Sequence, residues 1–177
     1  MLFVIRMIQI SICICAFTEI LEQAKRKVLA AGGIFDGRGA AAMFLMGACG
    51  VQVGTRFLMA DECRVHDVYK ERLIKASDVG TMVTGKTLGD AVRSLKTPFT
   101  KKFARLEADP SVPDAEVRAF GTGSLRKAVF DGDLSGGSFL SGEVAGMITR
   151  RESAADIVND IIGGAGRLLA AAPDLLT

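Results

Sequence analysis

Residues 29–57, LAAGGIFDGRGAAAMFLMGACGVQVGTRF, constrain the fold of this chain more than any other stretch. A short apolar run, Val28-Leu29-Ala30-Ala31, ends in Gly32-Gly33. A second, Gly50-Val51-Gln52-Val53, ends in Gly54-Thr55. Apolar runs this short, closed by glycine, suit strands buried on both faces, as in parallel sheets. Between them the Ala-, Leu- and Met-rich run from Gly37 or Arg38 predicts a helix closed by Gly47. Strand, helix and strand with short connections make a βαβ unit. Its right-handed crossover lays the strands side by side and puts both glycine turns at the same, C-terminal edge of the sheet.

A glycine turn there lets a ligand approach closely, because no Cβ intervenes and backbone N–H groups point outward. A helix starting just beyond adds the pull of its dipole on an anion. Two such turns on adjacent strands can grip one phosphate from both sides. Gly32, Gly33, Gly54 and Thr55 are the candidate donors, the Thr55 hydroxyl adding a directional bond. The pattern is neither GxGxxG nor the Walker sequence, so neither fingerprint applies. Glycine turns also end many strands that bind nothing, and the spacing alone admits both readings.

Elsewhere the pattern predicts a helix over residues 17–26, with Phe17, Ile20, Leu21 and Ala24 on one face and Thr18 as its cap. Residues 68–76 read as an exposed helix and 81–84 as a strand. Residues 92–108 have helical composition broken near Pro98, and Pro110 and Pro113 mark a loop. A helix over 116–130 is interrupted by Gly121 and Gly123, a glycine-rich loop and helix start follow, and 153–169 form a last amphipathic helix. Ser153 caps it, with Ile157, Val158, Ile161 and Ile162 on one side.

At 177 residues the chain suits one domain with a real core. Twenty-two Lys plus Arg against 20 Asp plus Glu leave a net charge of +2, which gives no electrostatic footing for nucleic acid or an anionic membrane. Lys25-Arg26-Lys27 and Lys101-Lys102 read as solvated faces. Cys13, Cys15, Cys49 and Cys63 form no CxxC and no disulfide framework, and read as buried free thiols of a reducing compartment, the cytoplasm. His66, the lone histidine, excludes every metal site needing two imidazoles, and capping or packing is the role expected of it. The opening MLFVIRMIQISICICAF carries Arg6 and Gln9 and fits neither a bilayer span nor a signal peptide. It reads as a buried strand or helix, or as the product of a start site inside a longer gene.

The segment AAGGIFDGRGAAAMFLMGACGVQVGTRF, followed by ECRVHDVYKERLIKA, DAVRSLK and GTGSLRKAVFDGDLSGGSFLSGEVAGMI, closely resembles the flavin-binding half of the enoyl-acyl-carrier-protein reductase II and nitronate monooxygenase family. DAVRSLK and the stretch 121–148 look more like the enoyl reductases. The resemblance implies an FMN-dependent (β/α)8 barrel, with residues 28–177 as its last two strands and C-terminal helical region and residues 1–27 as an atypical apolar and helical segment. It carries the FMN-phosphate role onto Gly32 and Gly33 at the first turn and Gly54 and Thr55 at the second, with Gln52 the polar residue on the strand before it. It further implies NAD(P)H as reductant and an enoyl thioester, free or on acyl-carrier protein, as substrate, with nitronate monooxygenase the alternative. Other readings are a different phosphate-binding barrel using the same turns, and a non-catalytic remnant.

The family's missing strands, flavin-ring loops and substrate-side histidine would precede Val28, so no catalytic residue is assigned, and Glu62 reads as structural. Glu143 stands where the family commonly has glutamine, near the expected active-site mouth. Two barrel strands cannot close, and open edges predict homo-oligomerisation, pairing with a missing half, repacking around the N-terminal segment, or aggregation.

Overall fold

The computed structural model describes residues 3–6, 14–23 and 27–176. In chain order the elements are β1 (Phe3–Arg6), α1 (Ile14–Gln23), β2 (Val28–Ala31), α2 (Gly37–Leu45) and β3 (Gly50–Gln52), then α3 (Asp67–Ile74), β4 (Thr81–Thr84) and β5 (Val92–Leu95). Helices α4 (Pro98–Ala108), α5 (Asp114–Gly121), α6 (Ser124–Arg126) and α7 (Ala154–Ala171) follow, with tighter or wider turns at Thr55–Met59, Lys127–Asp131, Glu143–Met147 and Ala172–Leu176. The chain divides into two units, one formed by Met1–Glu62 with Arg151–Thr177, the other by Cys63–Arg150.

The first unit holds a parallel sheet in the order β1-β2-β3. Strand β2 is central, pairing Phe3 with Val28 on one side and Ala31 with Gln52 on the other, and Val28, Ala30 and Ala31 are buried. The βαβ reading of residues 28–52 therefore holds, and part of the N-terminal segment supplies a third strand. Gly47, at φ 102, follows the C-terminal end of α2 as expected. Helix α2 packs on α7, burying Ala40 and Ala41 of one and Ile157, Ile161 and Ala165 of the other.

Two expectations for this unit are corrected. Helix α1 begins at Ile14, so Thr18 lies inside it rather than capping it, while Ala24 to Arg26 lie outside the described residues. On α7 the buried stripe runs through Ile157, Ile161 and Ala165, and Val158 and Ile162, each turned about 100° further round the helix, are exposed. Ser153 does cap α7, its hydroxyl accepting from the Asp156 amide at 3.0 Å.

In the second unit β4 and β5 form an antiparallel pair with Thr81 opposite Leu95. This overturns the helical reading for residues 92–95, while residues 98–108 are helical as expected. Val92–Leu95 is a strand because Ser94 and Leu95 bury against the unit's core, and Pro98 opens α4 rather than breaking it. A proline in the first helical turn lacks only an N–H that the helix leaves unpaired there. Thr97 caps that helix, and Phe99, Phe103 and Phe120 cluster beneath it.

Helix α3 is not merely exposed. Tyr69 and Leu73, one turn apart, are buried, the Tyr69 hydroxyl donating to the Leu140 carbonyl at 2.6 Å and its ring lying 4.7 Å from that of Phe139. The interruption expected near Gly121 and Gly123 occurs, Gly123 adopting φ 73 between α5 and α6. Lys101 and Lys102 are exposed as expected, Lys102 resting its ammonium 5.0 Å from the Phe120 ring centre. Cys49 is exposed and Cys63 half-buried, correcting the reading of both as buried thiols, while Cys13 lies outside the described residues. Among the described residues no helix is long and apolar enough to cross a membrane.

Candidate functional site

Strand pairing decides where the two glycine turns lie. Because Ala31 is in register with Gln52, the chain leaves β2 and β3 at the same edge of the parallel sheet, at their C-terminal ends. Gly32 and Gly33 follow β2 with φ 98 and 71. Gln52 is exposed at the end of β3, and Gly54 and Thr55 come next, Thr55 opening a tight helical turn that Phe57 N closes onto the Gly54 carbonyl at 3.0 Å.

The two turns use glycine for different reasons. A positive φ of 71 excludes most side chains at Gly33, so its own backbone accounts for the residue. Gly54, at φ −113 and ψ −62, sits where any residue can sit. A Cβ built on either would meet nothing within 4 Å. Neither strain nor packing asks for glycine at position 54, and Gly33 and Gly54 each face open space. No acceptor among the described residues takes the Gly33 or Gly54 amide hydrogen.

The helix dipole expected to assist at the first turn is already engaged. Asp36 caps α2, its carboxylate accepting from the amides of Arg38 at 3.0 Å and Gly39 at 3.5 Å. The Arg38 side chain bonds the same carboxylate through Nε at 2.8 Å and Nη2 at 2.6 Å, and this bond holds the Asp36 pKa below its ordinary value against a smaller effect of burial. The Asp36 carboxylate thus takes up the Arg38 and Gly39 amides at the α2 terminus.

One residue the sequence reading passed over joins the loops. Arg56 is 5 % exposed, and its Nη1 donates to the Phe35 carbonyl at 3.0 Å and to Asp160 Oδ2 at 2.6 Å, while Nε and Nη2 donate to Glu152. Its guanidinium carbon also stands 4.7 Å from the Phe35 ring centre. Burial works to lower its pKa, but the bonds to Asp160 and Glu152 outweigh this and hold it above the ordinary value. A signal was present: Arg56 is the only charged residue between Arg38 and Asp61.

His66, Glu62 and Glu143 each have a partner within the fold. His66 caps α3, its Nδ1 accepting from the Val68 amide at 3.2 Å, as expected. Glu62 accepts from the Ala154 amide at 2.9 Å, at the first residue of α7. Glu143 pairs with Arg93 at 2.9 Å and is otherwise largely exposed. No group of three or more His, Cys, Asp or Glu among the described residues could hold a metal ion.

Fold and site together define a mixed α/β protein with paired glycine loops at the C-terminal edge of a parallel sheet. The chain belongs to the nitronate monooxygenase family, whose model matches residues 19–164. A probable nitronate monooxygenase of Staphylococcus aureus is 31% identical over 85% of this chain and 42% of its own length. FabK from Thermotoga maritima superposes with a TM-score of 0.85 at 39% identity, covering 92% of this chain and 51% of that one. A nitroalkane oxidase from Streptomyces ansochromogenes superposes at 0.72 with 26% identity, over 89% of this chain and 44% of its own. The chain thus spans about half the length of the relatives it matches, or less.

Proposed function

We propose that this chain is the phosphate-gripping part of an FMN-dependent oxidoreductase, built as part of a (β/α)8 barrel whose last two strands are β2 and β3. Residues 28–177 belong to that barrel, and β1, paired in parallel with β2, lies beside them as a further strand. One observation carries the reading: Gly54, which neither its backbone nor its packing requires, faces open space two residues past β3, as Gly33 does two residues past the parallel neighbour β2. In such barrels the loops after the last two strands are where phosphate sites sit.

The residues present fit the group. The amides of Gly32, Gly33 and Gly54 would hold the phosphate, with Thr55 at the second turn and Gln52, exposed at the end of β3, nearby. Backbone donors in short turns anchored to paired strands lose little entropy on binding. The flavin, when bound, supplies the redox chemistry, with NAD(P)H as reductant and the double bond of an enoyl thioester as acceptor. The likeness to FabK over 92% of this chain favours enoyl reduction. The nitronate monooxygenase reading is the second, favoured by the names of the curated relatives. A partial barrel also calls for a second chain or a second copy to cover its edges. Exposed free thiols such as Cys49 fit a reducing cytoplasm.

The test is flavin binding followed by turnover. Purified protein titrated with FMN is expected to quench flavin fluorescence and retain the flavin through gel filtration; protein that remains colourless removes the proposal and leaves the non-catalytic reading. Flavin reoxidation by a crotonyl thioester supports the reductase, and oxygen uptake with an alkyl nitronate supports the monooxygenase.

A further inference from the structure

We propose that Arg56 is the positioning residue that sets the separation of the two glycine turns, and that it acts as a rigid fork and not as a charge for the anion. This rests on the phosphate reading above and adds the element that spaces its two halves. Arg56 follows Thr55 directly, and its Nη1 reaches the carbonyl of Phe35, two residues beyond Gly33, so one side chain spans from the second turn to the first. The Phe35 ring lies against the guanidinium, holding it at a second point.

The other side of the fork is fixed as firmly. Glu152 takes Nε and Nη2 at 3.0 to 3.2 Å, and its own backbone is stitched to the second turn, its carbonyl accepting from Asp61 N at 2.9 Å and its amide donating to Met59 O at 3.4 Å. Asp160, on α7, takes Nη1. Each guanidinium nitrogen therefore donates to a protein acceptor, and two carboxylates face one cation. Its positive charge is compensated inside the protein. What Arg56 contributes is geometry, in a buried place where a planar group directs five donors at Phe35, Asp160 and Glu152 from fixed directions, and a lysine ammonium has only three donors at one point on a flexible stem.

The experiment compares Arg56→Lys, Arg56→Met and Asp160→Ala with the unaltered chain. Asp160 is 48 % exposed at its side chain, so the alanine variant removes the acceptor at one arm of the fork without opening the core. Two readouts are taken: amide hydrogen exchange in peptides covering residues 32–35 and 54–57, and affinity for FMN against riboflavin, which lacks the phosphate. Arg56→Lys is expected to speed exchange in both loops together, leave the β4–β5 pair unchanged, and weaken FMN about tenfold or more without weakening riboflavin, as loss of charge-assisted bonds at a buried site implies. Asp160→Ala shifts both readouts in the same direction by less, and serves with the lysine variant if Arg56→Met fails to fold.

Lysine with near-native loop exchange and FMN affinity overturns the proposal, because charge would then suffice. Equal loss of FMN and riboflavin overturns it too. If the unaltered chain shows no preference for FMN over riboflavin, the phosphate reading fails by itself. Joint loosening of the two loops in Arg56→Lys then still supports the fork, and loosening of only one, or neither, rejects it.

Discussion

Gly37 and Gly164 meet backbone to backbone: a Cβ added to Gly37 would stand 2.6 Å from the Cα of Gly164 and 2.5 Å from the Ala165 nitrogen. Helix α2 leaves the first glycine loop at this point, so α7 sets the angle at which it leaves.

Gly37→Ala is therefore expected to destabilise the protein by about 1–3 kcal/mol, since the obstructing atoms are backbone and the helices must separate. Gly166→Ala, on α7 where a Cβ meets nothing within 4 Å, should be neutral or gain about 0.5–1 kcal/mol from helix propensity. Urea unfolding of both variants checks this pair, and similar midpoints for the two would contradict it.

The two glycines of the proposed phosphate cradle should separate stability from binding. Gly33→Ala places a side chain at φ 71 and is expected to cost about 1–2 kcal/mol in stability. Gly54→Ala introduces neither strain nor a clash, so its stability should stay within about 0.5 kcal/mol of the parent. Its FMN affinity should nonetheless fall, as titration against riboflavin would register.

Tyr69 is the only tyrosine in the chain, so its absorbance reports one site. Burial, with a smaller push from Cys63, raises the phenol well above its ordinary value of 10.0. A raised folded pKa contributes stability that is present in full below the unfolded value of 10.0 and is lost as pH climbs from there towards the folded value. An alkaline titration at tyrosinate wavelengths should therefore show no ionisation until the protein unfolds. Tyr69→Phe, which leaves the Leu140 carbonyl without its donor, should cost about 1–3 kcal/mol.

Asp36 gives the opposite sign. Its Arg38 partner lowers the folded pKa, so the capping contribution is present above the unfolded value of 3.8 and disappears as pH falls through the lower folded value. The difference in Tm between the protein and Asp36→Ala should be constant at neutral pH and shrink below pH 3.8. A difference that stayed constant in acid would show that the charge plays no part in the cap.

Much of the first unit was legible along the chain because its signals are local. Val28-Leu29-Ala30-Ala31 is too short for a helix and too apolar for a surface, glycine closes it, and the Ala-rich run beyond can only be helical; these propensities need no distant partner. The cap at Ser153 and the role of His66 were readable for the same reason, since caps are settled within a few residues.

Other features depended on partners remote in sequence. Val92–Leu95 became a strand because Thr81–Thr84 lies beside it, and Tyr69 was buried because Phe139 and Leu140 fold over it. On α7 the 3.6-residue period offered Ile157, Val158, Ile161 and Ile162 alike, and contact with α2 chose Ile157 and Ile161. Arg56 shows the division most plainly. The sequence by itself determined two glycine-ended strands with a solitary charge after the second. Only the tertiary structure brought Phe35, Glu152 and Asp160 around that charge, because burying a guanidinium is favourable only once every donor has found its acceptor.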